Sequence, residues 1–182
     1  MTWSVKTPPV DEPVSLEEVK LYLRADWSEE DLLIGSLITA ARQSVESSCE
    51  RALMPQVWTE RQSTFPPAIE LRGGLVDSVT SVKYIDADGV QQTLDSAAYR
   101  ISFNTSTPTL VSTAGWPIGT DVEVEYGLGY PDASTVPAAI RAAILIMVAD
   151  MYANREVSLV GQNITQNRAV FRLLFPYKRV RP

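Results

Sequence analysis

The stretch Val136–Glu156, VPAAIRAAILIMVADMYANRE, is the most apolar in the chain. Pro137 sits where a first helical residue belongs. No glycine or further proline interrupts the run, so a helix is predicted to about Arg155. At 3.6 residues per turn, Ile140, Ala143, Ile144, Met147, Val148 and Met151 share one face. Ala142, Leu145, Ile146, Ala149 and Ala153 share the opposite face, and Arg141 and Asp150 mark the seams. A surface helix needs one apolar stripe, so the second face needs a partner of its own. Leaving it in water would forfeit on the order of 5 kcal/mol, against a net domain stability of roughly 5–15 kcal/mol. Two partners are open: another part of the chain, or a neighbouring subunit, whose close approach the small Ala142, Ala149 and Ala153 would permit.

The first face calls for helices elsewhere, and the N-terminal part supplies two start signals. Ser15 can cap, Glu18 completes a capping box, and Val14 can staple to Val19; Leu16, Val19 and Leu23, with the stem of Lys20, then line one side. Ser28 can cap a second helix with Asp31 three residues on and Trp27 stapled to Leu32. That helix is expected to turn Leu33, Leu37, Ala40, Ala41, Ser44, Val45 and Ser48 inward and to end near Leu53, before Pro55. From Gln56 to Tyr126 the period changes to that of strands. QVWTERQST, AIELR, SVTSVKYI, VQQTL, YRISF, TLVS and DVEVEYG recur at short intervals, and Asp86-Ala87-Asp88-Gly89 reads as a hairpin turn. After the long helix, TQNRAVFRLL reads as a short last helix capped by Thr165 and closed by Pro176.

This order predicts an α+β chain: a small helical bundle of two N-terminal helices and the long C-terminal helix, with an inserted antiparallel β unit. The expected divisions are an extended N-terminal arm over 1–14, the bundle over 15–55 and 131–156, the β unit over 56–130, and a basic C-terminal arm with a short helix over 157–182.

Composition narrows the function. The chain holds no histidine and one cysteine, which excludes Ser-His-Asp and Cys-His nucleophilic sites and removes the commonest zinc ligands. Cys49 is expected to fill core, with no basic neighbour at helical spacing to activate it. The start, MTWSVKTPPVDEP, lacks the apolar segment of a signal peptide, so folding in a reducing compartment is expected. The run 138–149 is too short for a membrane span, which needs about 20 apolar residues.

The motifs left over carry no chemistry. Asp86-x-Asp88-Gly89 fails as a calcium loop, because Tyr84 would stand at the first ligand position. Asn163-Ile164-Thr165 fits a glycosylation triplet but reads as a loop and helix cap. Glu17, Glu18, Glu29, Glu30 and Asp31 cluster at two helix starts, where they favour the dipole. No phosphate loop or dinucleotide fingerprint is present, so neither catalysis nor a cofactor or metal is expected.

Charge is unevenly placed. No acidic residue follows Glu156, while Arg168, Arg172, Lys178, Arg179 and Arg181 are basic; residues 1–156 hold 11 basic against 22 acidic, a net of −11. A basic tail on an acidic body suits an acidic partner, nucleic acid or protein.

In this order and at these spacings, VSLEEVKLYLR, DLLIGSLITAARQSVESSCERAL, VTSVKYIDADGVQQTLDSAAYRI, VPAAIRAAILIMVADMYANRE and LLFPYKRV resemble the head–tail connector (adaptor) proteins of tailed bacteriophages, from about Pro13 to Arg179. The segment between Glu156 and Leu173 departs from the pattern. The resemblance implies a non-enzymatic virion protein at the neck. It would form a ring, usually dodecameric, beneath the portal protein. There it would close the packaged head and carry a stopper or tail-completion protein, with double-stranded DNA passing through unread. The second face of the long helix (Ala142, Leu145, Ile146, Ala149, Ala153) is then expected near the subunit contact. The arm bearing Arg168, Arg172, Phe175, Tyr177, Lys178, Arg179 and Arg181 is expected to dock on the portal. An acidic body would keep DNA mobile. Two alternatives stay open: another neck protein, such as a stopper, or a DNA-binding module using the basic tail, which would bind duplex DNA with steep salt dependence.

Overall fold

The first helix, α1 (Leu16–Leu23), starts on a complete capping box: the Ser15 hydroxyl accepts from the Glu18 amide, and the Glu18 carboxylate accepts from the Ser15 amide. Val14 and Val19 are both buried beneath it. The computed structural model describes residues 2–104, 107–154 and 167–178. Its described residues fall into two compact units, a helical one (11–53 and 131–182) and a β unit (1–10 and 54–130).

In the helical unit α1 is followed by α2 (Asp31–Cys49), α3 (Ala138–Ala153) and α4 (Arg168–Leu174). The α2 cap differs from expectation. Glu30 is the N-cap residue and makes no side-chain cap bond; Ser28 contributes only its carbonyl, which accepts from the Asp31 amide. Trp27 and Leu32 are exposed and do not staple; the Trp27 indole instead donates to Glu30.

The buried stripe of α2 also differs. It runs through Ile34, Ile38, Ala41, Val45 and Cys49, while Leu33, Ala40, Ser44 and Ser48 face solvent. The reason lies at the far end of the helix: only the stripe that avoids Ser44 and Ser48 is apolar throughout. The helix closes at Cys49 rather than near Leu53, with Glu50 in the left-handed region and its amide turned back to Glu46 and Ser47. Against α2 packs α3, burying Ile140, Ala143, Ile144 and Val148, which is the first face read from the sequence. The last helix is capped by Asn167, whose side chain accepts from the Ala169 amide; Thr165, the expected cap, lies outside the described residues.

A buried cation orders the segments flanking α2. Arg42 is 5% exposed and donates to Glu12 and Glu46, both at 2.7 Å. Glu12 also accepts from Thr39, and Glu46 from the Leu53 amide. Arg42→Ala leaves two partly covered carboxylates without their cation. A loss of about 2 kcal/mol is expected, below the 3–5 kcal/mol of a fully buried pair because Glu12 keeps some solvent. Urea unfolding followed by circular dichroism measures it, and a midpoint unchanged from wild type would contradict the assignment.

The β unit is antiparallel throughout. Strands β1 (Thr2–Thr7), β2 (Gln56–Thr64), β4 (Val76–Ile85), β5 (Gln91–Thr93) and β8 (Thr120–Leu128) form one sheet in the order β1-β2-β8-β4-β5. A second sheet has the order β3-β7-β6, from β3 (Ile69–Glu70), β6 (Tyr99–Ser102) and β7 (Thr109–Ser112). The hairpin read at Asp86 joins β4 to β5; the Asp86 carboxylate accepts from the Gln92 side chain and from the amides of Val90 and Asp88, and these bonds, Gln92 first, hold its carboxyl below the usual range. Residues 2–7, read as part of an extended arm, are extended but hydrogen-bonded: Trp3 pairs Glu60 and Val5 pairs Trp58. Trp3 stacks on Trp58 with ring centres 4.5 Å apart, an apolar attachment that alternation within so short a stretch does not advertise.

The central strand β8 carries the core. Val122, Val124, Tyr126 and Leu128 are buried on one face, while Glu123 and the also buried Glu125 lie on the other and pair with Arg61 and with Lys6. Lys6 holds the Glu125 carboxyl below its ordinary value.

Candidate docking surfaces

Three surfaces in the helical unit and one buried group in the β unit stand out. The second face of α3 is half-covered: Ala142, Leu145, Ile146 and Ala149 are half-buried and Ala153 is exposed. Both α1 and α4 pack against α3. Arg141 donates to Glu18 of α1, and the Tyr152 hydroxyl donates to Glu30. The chain therefore covers part of this face itself, one of the two partners left open by the sequence.

The basic arm divides in two. Arg168 to Leu174 is helix, anchored on α3 by the buried Leu174. Its outer side carries Arg168, Phe171 and Arg172, and Phe175 follows with 62% exposure. Phe171 and Phe175 meet with ring centres 5.8 Å apart, and the Lys178 ammonium lies 4.8 Å from the Phe171 ring centre, a cation–π contact. Tyr177 and Lys178 are half-buried, while Arg179 and Arg181 lie outside the described residues.

The third surface was not read from the sequence. At the corner where α1 meets α2, Leu21 is 82% and Leu32 92% exposed, with Tyr22, Trp27 and Leu33 also open. Lys20 bridges to Asp31 at 2.7 Å and fixes the corner. Each large apolar side chain left in water forgoes roughly 1.5–3 kcal/mol, and grouped exposed apolar residues mark interaction sites. The staple assigned to Trp27 and Leu32 hid this corner; the adjacent Leu32-Leu33 pair, which one helical stripe cannot bury together, was the available signal.

In the β unit Glu60 is fully buried, and neither carboxylate oxygen has a hydrogen-bond partner. It sits in one cross-strand row between Trp3 of β1 and Val124 of β8, with Val82 of β4 beyond. Burial pushes its carboxyl up to about 7, with Arg72 opposing the shift. Burial and the Glu60 charge likewise push the Tyr126 hydroxyl up. Cys49 is buried and its thiol is pushed up by burial, so it stays a protonated filler. Among the described residues no group of three or more cysteine, aspartate or glutamate side chains is placed to hold a metal ion. No described helix is long and apolar enough to cross a membrane.

Residues 13–111, more than half of the chain, match a family model described as phage gp6-like head-tail connector protein. No curated protein matches the chain. Among solved structures, it is similar to a chain in the virion of a native gene transfer agent (GTA) particle, with TM-score 0.84 and 22% identity over 100% of this chain and 97% of that one. A chain in the neck of an empty GTA particle computed with C6 symmetry gives TM-score 0.82 and 22% identity, and one in the neck of a native GTA particle computed with C12 symmetry gives 0.75 and 19%; each match covers 100% of this chain and 97% of the other. At these identities the likeness is one of fold.

Proposed function

Because the chain belongs to the phage gp6-like head-tail connector family, we propose that it assembles as a ring between the portal and the tail and acts there by contact alone. Its role is structural, a connector of head to tail. The ring is dodecameric and sits in the virion neck; the GTA neck with the same fold, computed with C12 symmetry, supports that number. Stacked on the portal, it closes the filled head and presents a surface to a stopper or tail-completion protein. The half-covered residues Ala142, Leu145, Ile146, Ala149 and Ala153 complete their burial at the subunit contact. DNA passes through the ring without being gripped, for which a net charge of −11 over residues 1–156 is suited by like-charge repulsion.

The end of the chain docks on the portal. The observation that carries this is the run of cations Lys178, Arg179 and Arg181 in a tail with no acid after Glu156; charge opposite to the body makes such an end a selective contact. Full-length chain mixed with purified portal is expected to give one complex of 1:1 subunit ratio by native mass spectrometry. A chain ending at Phe175 is expected to stay folded and to leave the portal free. Normal portal binding by the shortened chain would overturn the docking assignment. Absence of any complex with the full chain, together with salt-sensitive duplex DNA binding, would favour a DNA-binding module instead.

A further inference from the structure

The geometry points to a head-to-tail contact between copies of this chain, in which the cationic aromatic side of α4 on one copy seats on the acidic, apolar α1–α2 corner of the next. This rests on the ring reading above and extends it by naming the two surfaces that meet.

The surfaces complement each other in kind. The corner offers Leu21, Tyr22, Trp27 and Leu32 to solvent. Around them, residues 17–31 hold six acids against Lys20 and Arg24. Lys20 is engaged by Asp31, and Asp26 and Glu29 make no ion pair among the described residues. The α4 side offers Phe171 and Phe175 beside the exposed Arg168 and Arg172. Both surfaces combine exposed apolar side chains with charges, and the charges are of opposite sign.

The occupant is a second copy because neither surface suits itself. Corner against corner would bring acids together, and α4 against α4 would bring cations together; like-charge juxtaposition opposes both. A pairing of unlike surfaces on one chain is heterologous, and a heterologous contact repeats until it closes into a ring or runs on as a filament. A duplex of DNA would satisfy the α4 cations but would leave the acidic corner uncovered and repelled. Because α4 packs on α3, α3 lies beside the same contact.

The test uses full-length chains with one new thiol each, Leu32→Cys or Phe171→Cys. Both positions are exposed, and the native Cys49 is buried, so wild type is the blank. A short bis-maleimide is applied at concentrations where the unmodified chain forms its ring, with portal present as template. A mixture of the two variants is expected to give a heterodimer that stops at two subunits, and a chain carrying both thiols a ladder. Adding Arg168→Glu and Arg172→Glu to the Phe171→Cys chain is expected to cut the heterodimer about tenfold or more.

Efficient homodimers from either single variant would overturn the contact, because they require like surfaces to meet. Absence of heterodimer while native mass still shows a closed ring would overturn it too, and would leave the ring reading standing. Failure of the unmodified chain to form any ring with portal would remove the ring reading itself.

Discussion

Glu60→Gln is expected to stabilise the β unit by about 3 kcal/mol at pH 8 and to change little at pH 4. The folded carboxyl titrates near 7 against an ordinary 4.5, because burial without a hydrogen bond disfavours its charge. Below about 4.5 both folded and unfolded chains hold the proton, so wild type keeps its full stability there. As pH rises through about 7 the folded chain must carry a charge in an apolar row, while the unfolded chain carries it in water, and stability is lost. Glutamine keeps the shape without the charge and flattens that fall. The chain has no histidine, so few other groups titrate between pH 6 and 8 to obscure the slope. Urea unfolding read by tryptophan fluorescence suits the measurement: Trp3, Trp58 and Trp116 report on the β unit, and Trp27→Phe removes the signal of the helical one. Parallel pH profiles for wild type and Glu60→Gln would refute this account.

Gly129→Ala is expected to cost the β unit about 3 kcal/mol or more. The residue has φ +118°, where side chains are strained, and a Cβ there would lie 2.2 Å from the Met54 carbonyl oxygen and 2.6 Å from its carbon. Backbone cannot swing aside as a flexible side chain can, and the Gly129 amide is also committed to the Leu75 carbonyl at 2.9 Å. Gly115→Ala is the control: φ is +100° but nothing stands within 4 Å of the new Cβ, so only the backbone preference is lost, about 1 kcal/mol. The difference between the two urea midpoints isolates the contact, and equal losses would show that the close approach to Met54 is not rigid.

What the sequence revealed followed the range of the forces involved. The Ser15 box, the Asp86 turn and the inner face of α3 are set by residues within a few positions of one another, and each stands where local reading puts it. Longer-range choices were hidden. The run Leu32-Leu33-Ile34 offers apolar groups to two stripes of α2, and the deciding serines lie three turns on. Val5 and Trp3 read as an arm because their partners Trp58 and Glu60 lie some 50 residues away in sequence. Alternation puts Glu60 on the same side of β2 as the buried Trp58, and no spacing rule marks a carboxylate that is buried without a partner. The second face of α3 left two partners open in the sequence, and α1 and α4, which pack on α3, lie far from it along the chain.

The position of β8 at the centre of the five-stranded order has a consequence for synthesis. It is the last strand of the β unit to leave the ribosome, yet β2 and β4 both depend on it for pairing. At about 5–20 residues per second, β2 waits several seconds with β1 on one edge and the other edge open before β8 arrives. During that interval the nascent chain is most exposed to mispairing with its neighbours on the same messenger, so the timing of translation across this region, as much as the strength of the finished sheet, governs the yield of usable subunits.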